Sequence, residues 1–425
     1  MEHNITHIVM VYAIQIGVIL FIAKLAGEFT ERYLKQPSVL GELIAGMIIG
    51  PFALGAYINL PGVGPLFELP HHIVSNIPVT TELYAFAQIA AVVLLFVAGL
   101  ETNADTFLKY AGPASIVAIG GVVLPFLFGY FATIIAGIGG QGEALFMGAI
   151  MTATSVGITA RVLTDIQKLD TPEGVTILGG AVVDDVLGIL VLAVVVNLAA
   201  TGNFDLASVS SVTLKAAGFY VVFTGLAIIF SKYIAKFISL FKAPGAAVSV
   251  AVGIAFICSA IFEMFGLAMI IGAYSMGLAL SRTNISHMLS EKLQGLYNAT
   301  VPVFFVIMGM LVNFRAMGGA LMFSLIICVL AVIGKVVGCG VAARFVGFNK
   351  IGAIRIGIGM IPRGEVALIV AGIGLSRGVI DSDLFGVSIM MTMVTTLLAP
   401  IFLVPAFKIP GSGQVKAIKA SKKGN

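Results

Sequence analysis

Apolar residues fall in long runs along this chain, and short polar stretches separate the runs at near-regular intervals. Thirteen runs approach the ~20 residues that a helix needs to cross the hydrocarbon core of a bilayer. They lie near 8–26, 38–56, 84–101, 112–136, 143–164, 174–200, 212–234, 245–263, 266–281, 298–314, 319–343, 353–376 and 384–407. The second is short and punctuated by Gly and Pro. The eighth and ninth nearly merge around Glu263 and Gly266. The pattern predicts an all-α polytopic membrane protein.

Two runs are interrupted at mid-depth. The fifth carries Thr152-Ala153-Thr154-Ser155-Val156-Gly157, and the twelfth carries Ile361-Pro362-Arg363-Gly364-Glu365. Pro removes a backbone donor, and Gly weakens a helix interior, so both spans read as discontinuous helices. They are seven spans apart, an odd number, and therefore run in opposite directions. This predicts two inverted six-helix repeats, spans 1–6 and 8–13, with span 7 linking them and the two broken helices crossed. Paired interruptions of this kind point to a transporter's binding site.

Composition narrows the class. The chain is 59% hydrophobic and 10% charged, too little charge for a water-facing domain of 425 residues. Its 50 glycines suit close helix–helix approach in lipid. Cys258, Cys328 and Cys339 stand singly in apolar segments and read as small core residues. The first apolar run has no basic stretch before it, which predicts no cleavable leader. No GxGxxG follows a predicted strand, so no appended nucleotide-binding domain is expected. The net charge of +4 sits largely in the tail, 411–425, and implies no nucleic-acid partner.

Basic residues alternate between the connections. Those after odd-numbered spans hold Arg32 and Lys35, Lys109, Arg161 and Lys168, Lys232, Lys236 and Lys242, Arg282 and Lys292, then Arg344, Lys350 and Arg355. Those after even-numbered spans hold Lys215, Arg315 and Arg377. The alternation predicts an external N-terminus and a cytoplasmic C-terminus in the cell's inner (plasma) membrane. The loop 57–83, with His71 and His72, is then external and solvated.

The chemistry centres on Asp184 and Asp185, adjacent carboxylates inside an apolar run. A charge at the bilayer centre costs about 3 kcal/mol or more, and two like charges repel. Such a pair reads as an ion or proton site. Lys335 lies near the middle of the eleventh span, too deep to reach either surface, and either Asp is a candidate partner. Arg363 and Glu365 suit the charged ends of the half-helices where the broken spans cross. Thr154 and Ser155, at the other interruption, add hydroxyls and freed carbonyls. These are the hard oxygen ligands that a dehydrated alkali cation wants.

These residues together resemble the monovalent cation:proton antiporter-2 family, close to the NapA-type sodium/proton antiporters. The resemblance rests on Pro37-Ser38-Val39-Leu40-Gly41-Glu42 through Gly46 with Gly50-Pro51, and on Phe96-Val97-Ala98-Gly99-Leu100-Glu101. Thr152 to Arg161, Asp184-Asp185 and Ile361 to Glu365 complete it. It implies one antiporter membrane domain over 1–410 that exchanges Na⁺ or Li⁺ for H⁺ by electrogenic, elevator-type alternating access. It also implies a core bundle around 84–200 and 298–407, a dimerisation bundle mainly from 8–56 and 212–281, and a homodimer. Asp185 would be the principal cation and proton carrier. Asp184 would share the Na⁺ site and pair with Lys335. No cofactor is called for beyond the transported ions. K⁺/H⁺ exchange within the same family is the alternative, followed by a sodium-coupled organic-anion symporter and a cation channel. An intramembrane aspartyl protease ranks last, because its two Asp residues would sit on different spans.

Overall fold

The computed structural model describes residues 5–60, 64–69, 78–201, 206–313 and 320–415. His71, His72, Arg315 and the tail lysines lie outside the described residues. Helices dominate: α1 (Ile5–Phe29), α2 (Ser38–Ile49), α3 (Thr81–Glu101), α4 (Ala104–Ala136), α5 (Gln141–Thr152), α6 (Val156–Asp165) and α7 (Pro172–Thr201) form the first half. A linking helix follows, α8 (Leu206–Ile238). The second half contains α9 (Ala246–Met264), α10 (Met269–Ser281), α11 (Ser286–Met310), α12 (Leu321–Phe345), α13 (Lys350–Gly359), α14 (Glu365–Ser376) and α15 (Ser382–Lys408).

Eleven helical segments are long and apolar enough to cross a membrane, the joined pair α5–α6 among them, and α10 and α14 are shorter apolar helices. With α13–α14 taken as one interrupted span, every expected run has its helix. α11 begins at Ser286 rather than near 298. Its first turns are polar outside, but Leu289, Leu293 and Tyr297, four apart, bury one face, so packing extends the helix beyond the apolar run. Arg161 and Arg355, expected in connections, are helical and buried, in α6 and α13.

The halves are inverted copies, and the packing shows it. Shifting a label by eight carries one half onto the other. The pairs α1–α2, α2–α11, α4–α5, α4–α7 and α5–α7 map onto α9–α10, α10–α3, α12–α13, α12–α15 and α13–α15, and each pair is in contact. The pair α4–α12 maps onto itself and lies on the pseudo-twofold axis.

Glycine makes three of these crossings possible. A Cβ on Gly46 would stand 3.0 Å from the Cα of Gly309, bringing α2 onto α11. A Cβ on Gly99 would stand 3.0 Å from the Cα of Gly277, the twofold-related crossing of α3 and α10. On the axis, a Cβ on Gly120 would meet the carbonyl carbon of Gly338 at 3.1 Å. In lipid, where burial of apolar surface gives helices little drive to associate, such backbone contact supplies the packing.

At the basic end, the segment after α15 turns back over the helix ends. The Asn349 N–H donates to the Gly413 carbonyl (2.8 Å), and the Val415 N–H to Gly347 (3.1 Å). Arg355 pairs with Glu173 at the start of α7 (2.5 Å) and donates to the carbonyls of Ala406 and Ile409.

Candidate functional site

The two breaks meet at mid-bundle and run antiparallel. α5 ends at Thr152, and Ala153 is extended (φ −55°, ψ 141°). α13 ends at Gly359, five residues before the N-cap Gly364 of α14, and Pro362 stands in the gap. Pro362 cannot continue a helix and biases its predecessor toward extended backbone. Three hydrogen bonds register the gaps against each other. Arg363 donates to the Met151 carbonyl (2.7 Å), the Ser155 N–H donates to Pro362 (2.8 Å), and the Thr159 hydroxyl donates to Gly359 (2.7 Å). One partner ascends in sequence as the other descends.

Several backbone groups freed by the breaks are thus satisfied inside the protein, as a lipid-buried interruption requires. Arg363 is fully buried and also donates to Ile361 (2.8 Å) and, at longer range, Ala331 (3.4 Å). Its charge sits at the carbonyl end of α5, where the partial charge is negative. Glu365 opens α14, where the partial charge is positive. The two side chains therefore serve opposite half-helix ends, and no ion pair joins them among the described residues. Thr396 closes the set by donating to the Arg363 carbonyl.

α7 carries the carboxylates past this crossing. Neighbours on a helix point about 100° apart, so Asp184 and Asp185 face different surroundings. Gly180, four residues before Asp184 and on its face, lies against Ala114 of α4, with 3.5 Å from its Cβ position to the Ala114 carbonyl. On that face Lys335 reaches Asp184 from α12, 3.2 Å from each carboxylate oxygen, with both side chains at most 1% exposed. Gly121 of α4 makes room for the lysine. A Cβ there would stand 3.4 Å from Nζ and 2.5 Å from the Sγ of Cys339. Thr154 points its hydroxyl toward Asp184 without a hydrogen bond of ordinary geometry.

Asp185 looks the other way. It is 7% exposed, and its Oδ2 has no hydrogen-bond partner. It lines a cavity of about 410 Å³ together with Glu365, Gln88, Tyr84 and Glu263. The remaining walls are apolar, among them Ile189, Leu192 and Ile369. Following α3 and α7, this cavity runs from mid-bundle toward the end opposite the basic one. Ser155, at the crossing, does not line this cavity. Its Oγ is 2.7 Å from the Cβ position of Gly364, and it lines a second, small space with Arg363 and Thr392, which Glu365 also borders. Of the residues singled out from sequence, Asp184, Asp185, Lys335, Thr154, Arg363 and Glu365 gather around the crossing, while Ser155 contributes its backbone N–H.

The geometry adds residues that the sequence reading passed over. Tyr84, Gln88 and Glu263 face the cavity, and Gly121 admits Lys335. Glu263 stood out only as a boundary between two spans. A carboxylate at the lip of an otherwise apolar pair of helices was the available signal.

Comparison with known proteins gives the family and the fold. Residues 17–409 match the family model described as sodium/hydrogen exchanger, transmembrane. The chain is 37% identical over 409 residues to the Na(+)/H(+)-K(+) antiporter GerN of Bacillus cereus, covering 96% of this chain and 98% of that protein. It is 34% identical to the high-affinity Na(+)/H(+) antiporter NhaS3 of Synechocystis sp., over 92% of this chain and 88% of the relative. In fold it resembles the sodium proton antiporter MjNhaP1 of Methanocaldococcus jannaschii. The TM-score is 0.68 at 18% identity, covering 93% of this chain and 96% of the other.

Proposed function

The chain belongs to the sodium/hydrogen exchanger family of multi-pass membrane transporters, and on that premise we propose that it exchanges Na⁺ (or Li⁺) for H⁺ by alternating access. The observation that carries the reading is Asp185, buried in mid-bundle with an unpartnered oxygen and facing a largely apolar cavity that also holds Glu365, Gln88, Tyr84 and Glu263. A cation or a proton satisfies that oxygen, and the two compete for it. Asp184 is held by Lys335 and exchanges that partner for the ion when Na⁺ enters, with Thr154 as a further oxygen ligand.

The moving body in this reading is the group α4–α7 and α12–α15, which shares the twofold axis and the crossing. The scaffold is α1–α3 and α8–α11. We draw α3 and α11 into the scaffold rather than the core, because the Gly99–Gly277 and Gly46–Gly309 contacts bind them to α10 and α2. A second copy of the chain docks on the scaffold to give the homodimer. Neutralised by an ion or a proton, the core slides past the scaffold as an elevator. Empty and ionised, it would drag net charge through low dielectric, and that penalty couples the two fluxes. A lysine that changes partners as Na⁺ enters makes the exchange electrogenic. The alternation of basic residues supports an external N-terminus, with the cavity opening on the external side of the plasma membrane.

The test is proton movement in proteoliposomes, followed with a pH-sensitive dye as Na⁺, Li⁺, K⁺ or choline is added. Collapse of an imposed proton gradient by Na⁺ and not choline, lost in Asp185→Asn, is the expected result. A response to K⁺ alone would move the reading to K⁺/H⁺ exchange. No cation response from folded protein would remove antiport altogether.

A further inference from the structure

A second buried charge cluster lies at the basic end, outside the site just described. Glu42, on α2, is 1% exposed. Its nearest cation is Arg161 of α6, at 3.9 Å, the limit of an ion pair. Arg161 is itself 7% exposed and committed elsewhere, to Asp165 on its own helix (3.1 Å) and to the Ser38 hydroxyl (2.9 Å). The guanidinium also sits over the Tyr297 ring of α11, 5.2 Å from its centre. Glu42 Oε2 and Arg161 Nη1 have no hydrogen-bond partner. Lys24 of α1 and Asp165 are the other charges around Glu42, and its Oε1 lies 3.7 Å from the Cβ position of Gly27. A carboxylate taken out of water at such cost, and then paired poorly, has a weak structural justification.

The repeat sharpens the point. With Gly46 laid on Gly277, Glu42 falls on Ala273. With Val156 laid on Glu365, the first residues after the two breaks, Arg161 falls on Val370. The equivalent place at the other end is therefore apolar, and Val370 there lines the open cavity. The fold does not require a charge pair at this position.

We infer that Glu42 is a second carboxylate on the ion's path, covered by Arg161 while the cavity opens at the far end and exposed when the basic end opens. Resting on the elevator reading above, the argument follows which helix each charge rides on. Glu42 stays with the scaffold on α2, fixed to α11 by Gly46 and Gly309. Arg161 departs with α6. Uncovered, Glu42 has lost its nearest cation and faces the incoming solution with only Lys24 of α1 beside it, so a cation or proton entering from the basic end takes the place of the guanidinium. Glu42 then passes that ion inward to Asp185 and recovers Arg161 as the end closes.

The experiment compares Glu42→Gln and Arg161→Gln in sided proteoliposomes, with Na⁺ offered at either face. Glu42→Gln removes the entry carboxylate, so the apparent KM at the basic face should rise about fivefold or more, with the cavity-face KM unchanged. Glu42→Asp should restore part of it. Arg161→Gln uncovers Glu42 and favours the state open at the basic end, so KM there should fall while cavity-face KM rises. Arg161→Lys, with one ammonium for three partners, should move both values in the same directions by less. A merely structural cluster would shift the basic-face KM of both neutral variants the same way, and that result, or an unchanged KM in Glu42→Gln, overturns the inference. Loss of cation-dependent proton movement in the unaltered protein is a separate outcome and overturns the exchange reading instead.

Discussion

Lys335 holds Asp184 by both carboxylate oxygens, 3.2 Å to each, and leaves the adjacent Asp185 with an oxygen unpartnered. One residue's offset along a helix separates a neutralised carboxylate from an available one. The division of labour between them generates the first two predictions.

Asp185→Asn should reduce cation-driven proton movement to the level of empty liposomes. The amide fills the same space and carries no charge, so the melting temperature should stay level or rise. Lost exchange together with a lower melting temperature would mean that Asp185 acts through the fold rather than on the ion.

Lys335→Met strands Asp184 in a site that is 1% exposed. Removing one partner of a buried pair costs about 3–5 kcal/mol, read as a lower melting temperature. The double variant Lys335→Met/Asp184→Asn should recover most of that loss, and the cycle should return a strong coupling. If exchange is electrogenic through this lysine, the current per proton moved should change in Lys335→Met while the direction of exchange is kept.

Arg363→Lys should destabilise the protein although the charge is kept. The guanidinium serves Met151 and Ile361 at 2.7 and 2.8 Å, and a single ammonium cannot reach both as a planar fork does. Each charge-assisted bond lost is worth about 1.5–3 kcal/mol. Thermal unfolding with retained Na⁺ selectivity would separate this role from ion binding.

Gly309→Leu should push α11 off α2 and lower stability sharply, because even a Cβ there meets Gly46 Cα at 3.0 Å. Gly17→Ala is the control. Nothing lies within 4 Å of its Cβ position on α1, and relief of helix-interior glycine should stabilise by about 0.5–1 kcal/mol. Equal effects at the two sites would contradict the close-crossing account.

Proton competition fixes the sign of the pH dependence. Protonated carboxylates bind cation poorly, so the apparent KM for Na⁺ should fall as pH rises on the loading side and level off once the site is ionised. On the falling limb, a logarithmic slope of −1 reports one competing proton and −2 reports two. A KM that rises with pH would contradict shared occupancy of Asp185.

Much of this was legible before any coordinates. A transmembrane helix must be an apolar run, so the number and order of the segments could be read directly. Pro362 betrayed one break because it removes a helical donor, and the polar, glycine-containing stretch 152–157 betrayed the other. The Asp pair and Lys335 stood out because lipid makes charges expensive. What stayed hidden depends on partners rather than on runs. Nothing in the sequence says that Gly46 meets Gly309, or that Gly121 and not another glycine admits Lys335. Arg161 looked like a connection residue because it lies near a polar stretch, yet Ser38, Asp165 and Tyr297 draw it inside. The first turns of α11 escaped notice because one face is polar, although Leu289, Leu293 and Tyr297 bury the other.

The inverted repeat gives the two mouths of the protein one backbone plan. The side chains there differ: Glu42 and Arg161 at one mouth correspond to Ala273 and Val370 at the other. In the elevator reading, the two half-turns therefore start from matched geometry but differ at this one position, a charge pair at one mouth and apolar side chains at the other. Salt, temperature and single substitutions at this position should then act on one half-turn more than on the other. The rate-limiting direction of such a carrier is set locally, at whichever mouth is stiffer under the conditions at hand.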